Sequence, residues 1–229
     1  MRFKAMLTSD WNECLAPCGP FDYIAFNFPA LESELYRIFR LYTGNRITLA
    51  GAVRQIEKML PRPITAEQMD SYLAESFTTH TGVPELIEWC SEHRILFMIN
   101  TTGTIGYFQR IFAGNLLPRV PVISAHPMIR YPNRDKDIPT VYALLETRDK
   151  GRNTAAVACE HGIRAEKIII MGDSGGDGPH FEWGSKNGAF LIGCMIKPSL
   201  AEYCRTRSIG INLEFGPNDP HNQTFEGTD

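Results

Sequence analysis

Three polar stretches each follow a short apolar run: Asp10-Trp11-Asn12-Glu13 after FKAMLTS, Asn100-Thr101-Thr102 after ILFMI, and Gly172-Asp173-Ser174-Gly175-Gly176-Asp177-Gly178 after KIIIM. Carboxylates are hard oxygen donors that suit a hard divalent cation such as magnesium, and glycines between two of them let the backbone turn tightly around an ion. A lone Asp or Thr after a strand is usually a helix cap. Three such positions at the ends of strands of one sheet point instead to a shared centre. One residue breaks the acidic pattern: Asn12, two beyond Asp10, is an amide and cannot titrate.

The elements that must position these residues are legible in the apolar pattern. Residues 3–9 (FKAMLTS), 95–99 (ILFMI), 120–124 (VPVIS), 167–171 (KIIIM) and 189–196 (AFLIGCMI) have the length and branched content of buried strands. Helical patterns lie between them: PELIEWCSEH (84–93), IGYFQRIF (105–112) and RNTAAVACEHG (152–162), the last ending in Gly162 as a helix cap. This alternation predicts an α/β fold, a doubly wound parallel sheet, with ligands beyond the carboxyl ends of its strands. Residues 18–80 interrupt the rhythm with helix-like segments, whose starts are marked by Thr48 and by Thr65 with Gln68 as a capping box. The expected organisation is a core of residues 1–17 and 81–215, a helical cap insert at 18–80, and a loose polar tail at 216–229.

Composition narrows the function. The chain has 229 residues, 43% of them hydrophobic, with 23 basic against 26 acidic side chains. That suffices for one sizeable core, and a net charge of −3 gives no sequence-wide field for nucleic acid or an anionic membrane. No apolar run reaches the roughly 20 residues of a membrane helix, and Asp10 interrupts any secretion signal. A cytoplasmic protein acting on small molecules is expected, its six cysteines free thiols. The oligomeric state is not encoded in any visible pattern.

The strand ends together resemble the haloacid-dehalogenase superfamily of phosphatases and related hydrolases. Its motifs are an apolar strand ending in DxDx(T/V), a second ending in Ser or Thr, a Lys, and a strand ending in GDxxxD. The matching residues are Asp10-Trp11-Asn12-Glu13-Cys14, Thr101 or Thr102, Lys150, which stands 23 residues before Asp173, and Gly172-Asp173 with Asp177. The resemblance implies that Asp10 is the nucleophile, forming an aspartyl-phosphate that water then cleaves. It further implies magnesium held by the carboxylates of Asp10 and Asp173 and the main-chain carbonyl of Asn12, with Asp177 in or near the shell. Thr101 would donate to a phosphoryl oxygen, with Thr102 and Gly103 beside the substrate, and Lys150 would neutralise charge. The substrate implied is a small phosphorylated metabolite.

The first motif departs from the family at three successive positions: Asn12 for the second Asp, Glu13 for Gly, and Cys14 for Thr or Val. In the phosphatase branch that second Asp is the general acid and base, a role an amide cannot fill. Three outcomes follow: a phosphatase that recruits another acid such as Glu13, a carbon–halogen or carbon–phosphorus cleaving enzyme, or a non-catalytic binder of a phosphorylated ligand. The carbon–phosphorus version requires a lysine from the cap, where Lys58 stands alone among arginines. Arg37, Arg40, Arg46, Arg54 and Arg62 suit a second anionic group, and Arg40 is the one taken as a substrate contact. Trp11, Phe21, Tyr23 and Phe26 follow the nucleophile and either line a pocket mouth or pack the cap on the core. His180, after the acidic loop, reads as a candidate acid or base, or as a surface or capping residue.

Overall fold

Alternate residues of the first strand, β1 (Ala5–Ser9), belong to different cores: Met6 is buried in one apolar cluster and Leu7 in another. A strand covered on both faces must carry apolar residues at every position, which explains the continuous run. The computed structural model describes residues 3–132 and 139–216. Seven parallel strands lie in the order β4-β3-β2-β1-β5-β6-β7, where β2 is Ile95–Thr104, β3 Val122–His126, β4 Thr140–Ala143, β5 Ile168–Gly172, β6 Phe190–Cys194 and β7 Leu213–Phe215. The chain winds outward from β1 to β4 and then returns to β5 on the other side of β1. That reversal places a crevice at the carboxyl end of β1, between β2 and β5.

Helices α5 (Val83–Glu92) and α6 (Ile105–Ala113) contribute Ile87, Cys90, Phe108 and Ile111 to the core that holds Leu7. Helices α7 (Asp149–Glu160), α8 (Gly178–Asn187) and α9 (Pro198–Thr206) bury Val157, Phe181 and Leu200 with Met6 on the opposite face. Helix α7 ends as its sequence suggests: Gly162 takes φ +63°, and the N–H groups of Gly162 and Ile163 return to the carbonyls of Cys159 and Ala158.

Between β1 and α5 lie four α-helices, α1 (Asp22–Asn27), α2 (Glu32–Thr43), α3 (Leu49–Met59) and α4 (Ala66–Ser76), and a short 3-10 turn, Pro29–Leu31, with no strand among the described residues. Thr48 accepts the Gly51 N–H at 3.0 Å, and Thr65 and Gln68 close a reciprocal capping box at 3.2 Å each. Polar ties hold this helical block over the crevice. Tyr42 hydrogen-bonds Thr102, Asn45 donates to the Gly175 carbonyl at 3.3 Å, and Glu146, just before α7, accepts the N–H groups of Leu49 and Ala50 at 3.1 and 3.3 Å.

Several strand limits differ from the sequence reading. The run at 120–124 becomes Val122–His126, because Pro121 has no N–H for the ladder. The last apolar run stops at Cys194, where Met195 turns to φ +49°. Strands β4 and β7, of four and three residues, were not anticipated. Residues 217–229, most of the expected tail, lie outside the described residues. All six cysteines are free, and no described helix is long and apolar enough to cross a membrane.

Candidate active site

Strand β2 runs five residues past the expected Ile99, and its pairing with β3 slips between Asn100 and Thr104. The irregularity projects Thr101, Thr102 and Gly103 at the crevice instead of into the ladder. Thr101 donates its hydroxyl to Asn12 Oδ1 at 3.2 Å and accepts the Gly103 N–H at 3.1 Å. A Cβ on Gly103 would stand 3.1 Å from the Asn12 Oδ1, so this position favours glycine for close approach. On its other side Asn12 donates from Nδ2 to the Cys18 carbonyl at 3.2 Å.

The acidic loop is built around Asp177. Its Oδ2 accepts the N–H groups of Asp173 and Ser174 at 3.1 and 3.2 Å. A Cβ on Gly172 would lie 2.6 Å from Asp177 Cγ, and one on Gly175 would lie 2.3 Å from the Thr43 carbonyl oxygen. Both glycines are therefore required by packing, the first under a carboxylate and the second under the end of α2.

Asp10, Asp173 and Asp177 each offer a carboxylate oxygen, all within 4.8 Å of one another, and all three residues are buried. The fully buried Lys150 ammonium lies 3.0 Å from Asp10 Oδ2 and 2.5 Å from Asp177 Oδ1. Lys197 reaches Asp173 Oδ2 at 2.8 Å and also pairs with Glu13. Four carboxylates thus face two ammonium groups, leaving two negative charges in excess.

The titration of these groups reflects that imbalance. Burial pushes the Asp10 carboxyl up, opposed by Lys150 and assisted by the Asp177 charge. Asp173 is raised well above its ordinary value by burial and then by Asp177, with Lys197 as a partial offset. Asp177 is lowered: burial acts against this, but the Lys150 charge and hydrogen bond and two main-chain N–H groups outweigh it. Lys150 is raised, because the two carboxylates override its burial.

These residues fit a hard divalent cation. Asp173 Oδ1 is buried without a hydrogen-bond partner, and none of the described hydrogen bonds ends on the Asn12 main-chain carbonyl. The donors are all oxygens.

Other expectations fare differently. Arg40 is exposed, its guanidinium 5.7 Å from the Tyr36 ring centroid and outside the carboxylate cluster. Glu13, the suggested replacement acid, is engaged by Lys197. His180 is wholly buried, which corrects the surface reading. Its Nε2 faces the Thr154 hydroxyl at 2.9 Å, and that hydroxyl accepts the Asn100 amide at 3.0 Å. Burial, with Lys150 nearby, pushes His180 down to about 3. It is a neutral core residue behind the site, because α8 turns His180 and Phe181 inward together. Trp11, Phe21 and Tyr23 are buried, while Phe26 is partly exposed.

Two site residues escaped the sequence reading. Lys197 follows β6 as Asp173 follows β5, so the strand-end rule reaches it. Tyr42 lies in the helical insert, where no local pattern marks it as reaching Thr102.

No family profile matches the chain, and no curated protein matches it in sequence. Solved structures do. A phosphoserine phosphatase carrying a phospho-aspartyl intermediate analogue superposes with a TM-score of 0.71 at 18% identity, over 93% of this chain and 94% of the other. A substrate-bound phosphoserine phosphatase gives 0.70 at 18%, over 94% of each chain. A haloacid-dehalogenase family hydrolase from Salmonella enterica serovar Typhi gives 0.66 at 15%, over 93% of this chain and 68% of the other. The protein has the haloacid-dehalogenase fold, and these neighbours are hydrolases.

Proposed function

We propose that the protein is a magnesium-dependent hydrolase that releases phosphate from a small phosphorylated metabolite through an aspartyl-phosphate on Asp10. The observation that carries this is the buried trio Asp10, Asp173 and Asp177, set in a cluster where four carboxylates face two ammonium groups, with the unpartnered Asp173 oxygen. Magnesium would be held by Asp10, Asp173 and the Asn12 carbonyl, with Asp177 beside them. When bound, it supplies the positive charge that lets a carboxylate and a phosphate approach each other.

In this reading Asp10 Oδ attacks phosphorus and the bond from phosphorus to the alcohol oxygen breaks. Lys150 holds the charge on Asp10, while the Thr101 hydroxyl turns from Asn12 Oδ1 to donate to a phosphoryl oxygen, with Thr102 beside the substrate. The alcohol oxygen takes its proton from solvent, since Asn12 has none to give. Water then attacks the aspartyl-phosphate, gives up a proton, and releases inorganic phosphate with Asp10 restored. The helical block, tied down through Tyr42 and Asn45, acts as a cap over the crevice.

The test is phosphate release from a panel of phosphomonoesters with and without magnesium. Magnesium-dependent release abolished in Asp10→Asn supports the proposal; release unaffected by that change refutes it. A second reading, a phospho-ligand binder without turnover, is favoured by the two hydrogen bonds that hold Asn12 as an amide. It predicts thermal stabilisation by phosphate esters with no release. The carbon–phosphorus alternative finds no support, because Lys58 stands exposed on α3.

A further inference from the structure

Beyond the loop that carries Asn12 lies an aromatic pocket of about 570 Å³. Cys18, whose carbonyl receives the Asn12 amide, is part of its wall. So is Phe39, whose ring centroid lies 5.5 Å from the Lys197 ammonium beside Asp173. Small-ligand sites typically enclose about 300–1,000 Å³, so this pocket has the size to take a small organic group.

The wall has a definite chemistry. Phe21, Phe26, Tyr36, Phe39 and Tyr72 supply five aromatic rings. Phe26 and Tyr36 are 37% and 61% exposed, and both stand on this one pocket. Single exposed apolar side chains are ordinary, but neighbouring ones on one concavity mark a binding site. The charged residues of the wall are Asp22 and Glu32, and no lysine, arginine or histidine lines it. Asp22 accepts the Gly19 N–H at 2.6 Å, and neither carboxylate forms an ion pair among the described residues. Ring faces and carboxylates both attract positive charge, and alkyl groups on that charge suit the apolar wall. Outside the wall, Arg40 and Lys197 lie 5.7 and 5.5 Å from the centroids of the Tyr36 and Phe39 rings. A carboxylate on the ligand would meet no basic residue in the wall itself.

We infer that this pocket receives the alcohol part of the phosphate ester and that this part carries an alkylated ammonium group. The substrate class is phosphorylated amino alcohols with a methylated nitrogen. The substrate assignment rests on the phosphohydrolase reading of Asp10; the cation pocket itself is testable without it.

The first arm measures binding alone. Choline and its neutral carbon isostere, 3,3-dimethylbutan-1-ol, are titrated calorimetrically into the full chain without metal. Choline binding at least about tenfold tighter than the isostere is expected, with weakening in Glu32→Gln and in Tyr36→Leu, both at exposed positions. The second arm compares kcat/KM with magnesium for choline phosphate, 3,3-dimethylbutyl phosphate and O-phosphoserine. The ratio of the cationic to the neutral ester is expected to exceed about tenfold and to fall toward one in Glu32→Gln. Equal binding of choline and its isostere, or preference for O-phosphoserine, overturns the inference. Hydrolysis without discrimination removes the pocket assignment and leaves the phosphohydrolase standing. Glu32-dependent choline binding with no ester hydrolysed supports the cation pocket and removes the hydrolytic reading.

Discussion

Replacing Lys150 by Met removes the one cation wedged between Asp10 and Asp177 while nearly conserving volume. At 3.0 and 2.5 Å, Coulomb's law with an effective dielectric of about 20 gives roughly 5 to 7 kcal/mol of gross attraction per contact. Desolvation of the buried ions offsets several kcal/mol of each. The net loss on removing one partner of such a cluster is about 3–5 kcal/mol, because the remaining charges stay buried without compensation. For a chain of this size that lowers Tm by roughly 6–20 °C. Urea denaturation in chelator at pH 7 reads the difference from wild type. The Lys150 contribution is complete at that pH: its folded pKa is raised, so it is full below the unfolded value of about 10.4 and lost only as pH rises through the folded one. In the variant, lowering the pH toward 5 should recover part of the loss as Asp10 and Asp173 take up protons. A loss below about 1 kcal/mol would refute the cluster as drawn.

Restoring the acid, Asn12→Asp, should raise phosphate release by about 10²-fold to 10⁴-fold; the new carboxyl faces the Cys18 carbonyl, which favours its protonated, proton-donating form, and steady-state kinetics read the gain. Gly175→Ala should destabilise by about 1–3 kcal/mol in thermal melts, since the added methyl would meet the Thr43 carbonyl oxygen at 2.3 Å. His180 is held at about 3, so between the unfolded value near 6.5 and that folded value the unfolded chain binds a proton the native state refuses, and stability falls as pH drops. From pH 6.5 to 5 this amounts to about 2 kcal/mol, and His180→Gln should lose that much less than wild type in denaturation series over this range.

The sequence showed the sheet and most of the site because both follow one rule: buried parallel strands read as apolar runs, and their carboxyl ends carry the polar residues. Asp10, Thr101, Asp173 and Asp177 were picked out on that basis, whereas Lys150, inside α7, came only from the family resemblance. Strands β4 and β7 were missed because they are edge strands of four and three residues, with Thr140 and Ala143 exposed in one and Leu213 and Glu214 in the other. Long-range pairings were illegible for another reason. The Tyr42–Thr102 bond and the Lys197–Glu13 pair join residues 60 and 184 positions apart, and no local pattern encodes such a meeting. Arg40 was drawn to the substrate by its charge alone, whereas the periodicity of α2, with Leu35, Ile38 and Tyr42 inward, places it outward.

The central claim is that the three carboxylates form one cation-assisted phosphoryl site in which Asp10 is the nucleophile. A crystal structure of the wild-type chain grown with magnesium and fluoroberyllate, a mimic of the phosphoryl group, tests it most directly. The account predicts an octahedral ion about 2.1 Å from oxygens of Asp10 and Asp173, with fluoroberyllate on Asp10 and within reach of Thr101. An ion bound elsewhere, or Asp10 left bare while the mimic occupies another residue, would contradict it.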